Sequence, residues 1–180
     1  MADALIIIDI QNDYFPGGKM ALVGSDAAGA QAARVLEHFR RLGKPVFHIQ
    51  HLSVRPGASF FIPATTGAEI HSSVTPLDGE VIIQKNFPNA FRHTDLASRL
   101  QAANVKRITV VGMMTQMCID TSVRAAADLG FEVTLIHDAC ATRDQTFGNH
   151  TVPAAQVQAA FMAALSSFSA VQSTEQTLES

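Results

Sequence analysis

Ala4-Leu5-Ile6-Ile7-Ile8-Asp9 is an unbroken apolar run, rich in β-branched residues, that closes on a carboxylate. A run with no polar alternation suits a strand covered on both faces, the condition of a parallel sheet flanked by helices. Turn chemistry follows from Gln11 to Gly18, where Asn12, Asp13, Pro16 and the Gly17-Gly18 pair interrupt the pattern. Ala32, Val35, Leu36 and Phe39 then recur at helical spacing, which predicts a helix from about Ala27 to Leu42. Gly43 stops that helix and Pro45 introduces a second strand, Val46 to Ile49.

The alternation continues along the chain. Val81-Ile82-Ile83 reads as a third strand that delivers Lys85 just past its end, and Thr94 as the cap of a helix to about Ala103. Arg107 to Val111 makes a fourth strand, and a helix begins behind Cys118 and runs to about Leu129, closed by Gly130. A fifth strand, Phe131 to Ile136, ends in His137 and Asp138; Pro153 opens a helix to about Phe168, and Ala170-Val171-Gln172 is a short sixth strand. Strands and amphipathic helices in strict alternation predict an α/β fold, a doubly wound parallel sheet of about six strands with helices on both faces. The irregular stretch from His51 to Gly79 is long for a connection and reads as a lid or binding segment, with residues 60–71 as its centre.

A chain of 180 residues is the size of one domain, here spanning 1–180, with 170–180 expected to be partly a frayed polar tail. The apolar fraction of 47% with 16% charged residues describes a compact chain with a large core. A net charge of −3 supplies no basic surface for nucleic acid or anionic membrane, so a small-molecule substrate is the expected partner. No window approaches the roughly 18–20 apolar residues of a membrane span, and Met1 to Asp9 has no basic signal-type segment, so a cytoplasmic location is expected. Cys118 and Cys140 are then expected to be free thiols. No GxGxxG is present to bind a dinucleotide.

In sheets of this kind ligands bind at the carboxyl ends of the strands. Asp9, Lys85 and Cys118 follow three different strands at that one edge and can converge. A thiol at a helix N-terminus beside an ammonium is expected to favour the thiolate, and a carboxylate nearby can carry protons. Asp9 closing a doubly covered strand would be costly unless paired, and Lys85 is its natural partner. Singly, each has a plainer reading: Asp9 a turn cap, Lys85 a surface charge, Cys118 a small buried hydrophobe.

Asp9-Ile10-Gln11-Asn12-Asp13 with Phe15-Pro16-Gly17-Gly18, Lys85 beyond the third strand, and Gly112-Met113-Met114-Thr115-Gln116-Met117-Cys118 resemble the isochorismatase-like cysteine hydrolases. Supporting matches at Thr121, Ala125, Gly130 and Asp138-Ala139 extend the resemblance over about residues 4–172. The resemblance implies a catalytic triad of Asp9, Lys85 and Cys118, a cis peptide between Met113 and Met114, and an oxyanion hole from the N–H groups of Met114 and Cys118. It also implies a homodimer or homotetramer, in which a neighbouring subunit could complete the 60–71 lid.

The chain departs from the family's nicotinamidase-like members, whose metal site uses an Asp-x-His pair after the second strand. Here His51 and Ser53 occupy those positions, and although His48, His51 and His71 lie in the region, no metal and no cofactor are expected. Tyr14, Phe15, Phe87 and Phe91 are expected to line the substrate pocket, with Gln11 and Asn89 as polar contacts; core packing is the alternative for each Phe, and for Phe60 and Phe61. Met113, Met114 and Met117 read as packing around a tight turn, and Cys140 as structural. The leading expectation is a cysteine-dependent hydrolase cleaving the C–N bond of a small amide through a thioester. The alternatives are a vinyl-ether hydrolase in which Cys118 is a bystander, and a non-catalytic flavodoxin-like binding module.

Overall fold

A computed structural model describes residues 2–179. Six parallel strands form one sheet: β1 (Ala2–Ile8), β2 (Val46–His51), β3 (Val81–Lys85), β4 (Val105–Met113), β5 (Glu132–Ala141) and, after the hairpin β6 (Gln145–Phe147) and β7 (His150–Val152), the edge strand β8 (Ala170–Gln172). The order is β3-β2-β1-β4-β5-β8, so β1 lies inside the sheet and the chain winds outward in both directions. Side chains alternate across β1. Leu5 and Ile7 pack with Ala32, Val35, Leu36 and Phe39 of helix α1 (Ser25–Arg41), while Ala4, Ile6 and Ile8 join Leu96 and Leu100 of α2 (Leu96–Ala102) and Val123 and Ala126 of α3 (Asp120–Asp128). Each face of the sheet therefore has its own core, which is why β1 contains no polar residue after Asp3. This is the doubly wound α/β fold expected, as a single domain.

Several local expectations are corrected. Thr94 does not cap α2: its hydroxyl donates to the Ala90 carbonyl at 2.6 Å, and Asp95 takes the cap position. The helix from Pro153, α4 (Ala154–Leu165), stops at Leu165. His137 and Asp138 do not end β5, because a register shift between Val110 and Gly112 lets the strand resume with Cys140 opposite Gly112. Asp138 instead accepts from the backbone and hydroxyl of Thr174, at 2.8 and 2.9 Å. That carboxylate docks α5 (Thr174–Leu178), whose capping box of Ser173 and Gln176 turns the supposed frayed tail into a helix. Cys140 is buried, its thiol pushed up to about 12 by burial, in keeping with a structural role. Among the described residues no helix is long and apolar enough to cross a membrane.

Gly112 determines how β4 meets β1. Its φ is 137°, and a Cβ there would drive into the backbone carbonyl of Ile8, the residue before Asp9. Glu80 fastens the other side of the sheet: it accepts from Arg40 at 2.7 and 2.8 Å, from the Leu77 amide at 2.9 Å, and pairs with His48 at 2.8 Å. The hydrogen bonds from Arg40, against a smaller opposing effect of burial, hold its carboxyl down to about 2. Because the folded-state value lies below the ordinary one, this stabilisation is present above pH 4.5 and is lost as pH falls toward 2. Glu80→Gln should cost about 2–3 kcal/mol at pH 7 and much less near pH 2, measured by urea denaturation at both pH values; an equal loss at both would sink the assignment.

Candidate active site

Three strand ends and one turn assemble the site. Asp9 leaves β1 in a left-handed conformation, φ 52°, which Asp tolerates better than bulkier residues. His51 and Lys85 are the last residues of β2 and β3 and pair in register, so their side chains leave the sheet on one face. Cys118 lies in a π-helical turn, Thr115–Ile119, between β4 and α3, and the Met113–Met114 peptide bond before it is cis. That turn is held from outside: Thr115 donates to Gln158 at 2.6 Å and Gln116 accepts from Thr142 at 2.5 Å.

The ammonium of Lys85 is the centre of the cluster. It donates to Asp9 Oδ2 at 2.7 Å, to His51 Nδ1 at 2.9 Å and to Cys118 Sγ at 3.4 Å. An ammonium has three protons, so every one is committed. Asp9 and Lys85 side chains are wholly buried and Cys118 is 5% exposed. Oδ1 of Asp9 is buried and makes no hydrogen bond, which leaves one carboxylate oxygen free to take a proton.

Burial pushes the Cys118 thiol far above its ordinary value; the Asp9 carboxylate adds to this and Lys85 opposes it without prevailing. The expectation of a thiolate favoured by a helix N-terminus is thus corrected: the sulfur sits inside a buried turn, and desolvation outweighs the neighbouring cation. For Lys85, burial acts downward, but the net shift is upward, with the Asp9 charge foremost among the groups opposing burial, and the group stays an ammonium. His51 is pushed down to about 4, first by burial and then by Lys85, so its ring is neutral. The site therefore favours a thiol on Cys118, an ammonium on Lys85 and a neutral ring on His51.

The residues do not suit a metal. His48 is spent on Glu80, and His71 stacks on Phe15 with ring centroids 3.5 Å apart and bonds the Ser73 hydroxyl. A carboxylate oxygen of Asp9, a ring nitrogen of His51 and Sγ of Cys118 do lie within 4.8 Å of one another. The Lys85 ammonium, however, already bonds all three, and a metal ion there would face that positive charge.

The residues expected to line the pocket divide. Gln11 is fully buried; its amide donates to the carbonyls of His51 and Ala68 and its oxygen accepts from the His51 amide at 2.7 Å, so it fixes the backbone of His51. Tyr14 is buried against Phe60 and Phe61, with centroids at 5.9 and 4.5 Å. Phe15 lies under His71, and Phe87 carries the Arg92 guanidinium 3.9 Å from its ring. Asn89 accepts from the Phe91 amide, and Phe91 stacks on Phe131 against the core below α2. Tyr14, Phe60 and Phe61 are the aromatic surface beside the cluster, Phe61 lying 5.9 Å from the His51 ring.

Two residues of the site are not among those the sequence motifs single out for it. The sequence offers His51 only as a metal ligand, although its register with Lys85 follows from the ends of the two strands. Asp13 fastens the cover: its buried carboxylate accepts from the Phe61 amide at 2.6 Å and the Lys19 amide at 3.1 Å, and rests against Gly67 where no Cβ would fit. Asp13→Asn replaces one acceptor oxygen with a donor facing an N–H. It should cost about 1–3 kcal/mol and speed Cys118 alkylation by iodoacetamide about tenfold through easier opening of the segment. Unchanged alkylation would show that residues 60–71 do not limit access.

A parallel sheet with a thiol, an ammonium and a carboxylate gathered at its carboxyl edge has the architecture of a cysteine hydrolase. The chain matches the Isochorismatase domain model over residues 3–176 and belongs to that family. It is 49% identical to the isochorismatase family protein YddQ of Bacillus subtilis, over 99% of this chain and 100% of that protein. A solved isochorismatase-family protein from Oleispira antarctica superposes with a TM-score of 0.96 at 48% identity, covering 99% and 97% of the two chains. Streptothricin hydrolase of Streptomyces noursei is 35% identical over 84% of this chain and 55% of its own length. Nicotinamidase and ureidoacrylate amidohydrolase are further relatives, so the family includes amidohydrolases acting on C–N bonds.

Proposed function

We propose that this protein is a cysteine amidohydrolase that cleaves a small amide through a thioester. The observation that supports this most directly is the hydrogen bonding of one buried ammonium to Asp9 and to Cys118. Asp9 accepts the thiol proton on its uncommitted oxygen, and Lys85 stabilises the thiolate as it forms and attacks the carbonyl carbon. The N–H groups of Met114 and Cys118 hold the oxyanion of the tetrahedral intermediate. Asp9 returns its proton to the departing amine, leaving a thioester on Cys118. Water then gives a proton to Asp9 and its oxygen to the thioester carbon; the acid departs and the thiol is reprotonated. The burial that keeps the sulfur a thiol at rest makes proton transfer part of the attack, so the base must be in contact with the site, as Asp9 is.

Ammonia release across a panel of primary amides, ureides and carbamates tests this reading, with the Cys118→Ala protein as blank. At least one compound should be turned over by the parent and not by the variant. A vinyl ether hydrolysed equally well by both proteins, with no amide turned over, would establish the bystander reading of Cys118 instead.

A further inference from the structure

We infer that His51 is a substrate-recognition residue, presenting a fixed Nε2–H donor to a hydrogen-bond acceptor on the acyl portion of the amide. The inference deepens the amidohydrolase reading and rests on it for the identity of the ligand. Its basis is proton counting. Lys85 is a donor with no lone pair to offer, and it lies 2.9 Å from Nδ1 of His51. Nδ1 must therefore accept, and in a neutral imidazole the one ring proton is then on Nε2. The tautomer is dictated by Lys85, and Lys85 is in turn held as a cation by the Asp9 carboxylate at 2.7 Å.

That Nε2–H makes no hydrogen bond to any described residue. Of the four groups in the cluster His51 alone is partly exposed, since Asp9, Lys85 and Cys118 are all buried. A ligand bonding at the cluster from solvent meets the imidazole, and the donor it meets is unoccupied. The ring cannot swing freely: Gln11 bonds the His51 backbone on both its N–H and its carbonyl, Lys85 holds Nδ1, and Phe61 packs 5.9 Å from the ring. Such a donor recognises a neutral or anionic acceptor, such as a second carbonyl oxygen, and has nothing to offer an ammonium or a methylene at that place. The ligand class is therefore a small amide whose acyl part carries an acceptor beside the scissile carbonyl.

Two measurements test this together. Long-range ¹H–¹⁵N spectra of the ¹⁵N-histidine-labelled protein at neutral pH should show His51 with Nδ1 unprotonated and Nε2 protonated; the opposite tautomer overturns the proposal. Binding of pyruvamide and acetoacetamide is then compared with that of methacrylamide and 3-methylbut-3-enamide, in which C=CH2 replaces the second C=O, using Cys118→Ala protein so that no thiol reacts. At least one oxo-amide should bind about tenfold more tightly than its isostere. His51→Asn supplies an oxygen to Lys85 without the far donor and should erase that preference, while His51→Gln, which reaches the far position with an N–H, should retain it. No preference in the His51 protein, or one that survives His51→Asn, overturns the proposal. These readouts need no turnover, so a correct tautomer and preference with no hydrolysis by the parent would sink the amidohydrolase reading alone.

Discussion

The Cys118→Ala protein is expected to fold and to lose amide hydrolysis by a factor of about 10⁴ or more, as happens when a nucleophile acting within a coupled unit is removed. No other described thiol can substitute, because Cys140 is buried in β5 opposite Gly112, whereas the Lys85 ammonium bonds Asp9, His51 and Cys118. Truncating one buried sulfur leaves a small void between β4 and α3 and should cost no more than about 1–2 kcal/mol, so lost activity is separable from lost fold. The checks are kcat/KM by ammonia release, the urea midpoint, and mass spectrometry of the parent quenched in acid during turnover, which should show an acyl adduct on Cys118. Retained amide turnover in the variant would eliminate the thioester route.

Lys85→Met should give the largest stability loss of any single substitution at the site, about 3–5 kcal/mol. The methionine is close in volume, so packing is nearly conserved. What remains is a carboxylate with no exposed surface and no counter-ion. Restoring neutrality by adding Asp9→Asn, a residue that also tolerates the left-handed backbone at that position, should recover much of the loss without recovering activity. The double-mutant cycle read by urea denaturation then gives the coupling between the two charges. A cost below about 1 kcal/mol for Lys85→Met would mean that water already solvates Asp9, against the buried ion pair described above.

The two expectations differ in what they ask of the fold. Cys118 contributes chemistry and little stability; Lys85 contributes both, because one ammonium neutralises Asp9, orients His51 and meets the sulfur. The same economy explains why His48 and His71, close to the site in sequence, take no part in it. Each has a nearer partner, Glu80 for one and Phe15 with Ser73 for the other.

Much of this is legible in the amino-acid sequence. The unalternated apolar run Leu5 to Ile8 requires cover on both faces, which only a parallel sheet between helix layers provides, and chemistry-bearing residues after three strands then fall on one edge. Less legible were the features that depend on partners distant in sequence. The polar tail reads as frayed in sequence because the dock of Thr174, Asp138, lies 36 residues away, and Asp138 is available only because β5 is interrupted by a register shift. Residues 60–71 carried no sign that Asp13 would bind the Phe61 amide 48 residues on.

Periodicity and residue type, which are local, determined that the chain is a doubly wound α/β domain and that Asp9, Lys85 and Cys118 share an edge. Protonation and hydrogen-bond role depend on desolvation and on the nearest partner, quantities that exist only once distant segments are packed together. Tertiary structure alone therefore decided that the sulfur rests as a thiol, that Gln11 is a strut, and that His51 turns its one proton away from Lys85.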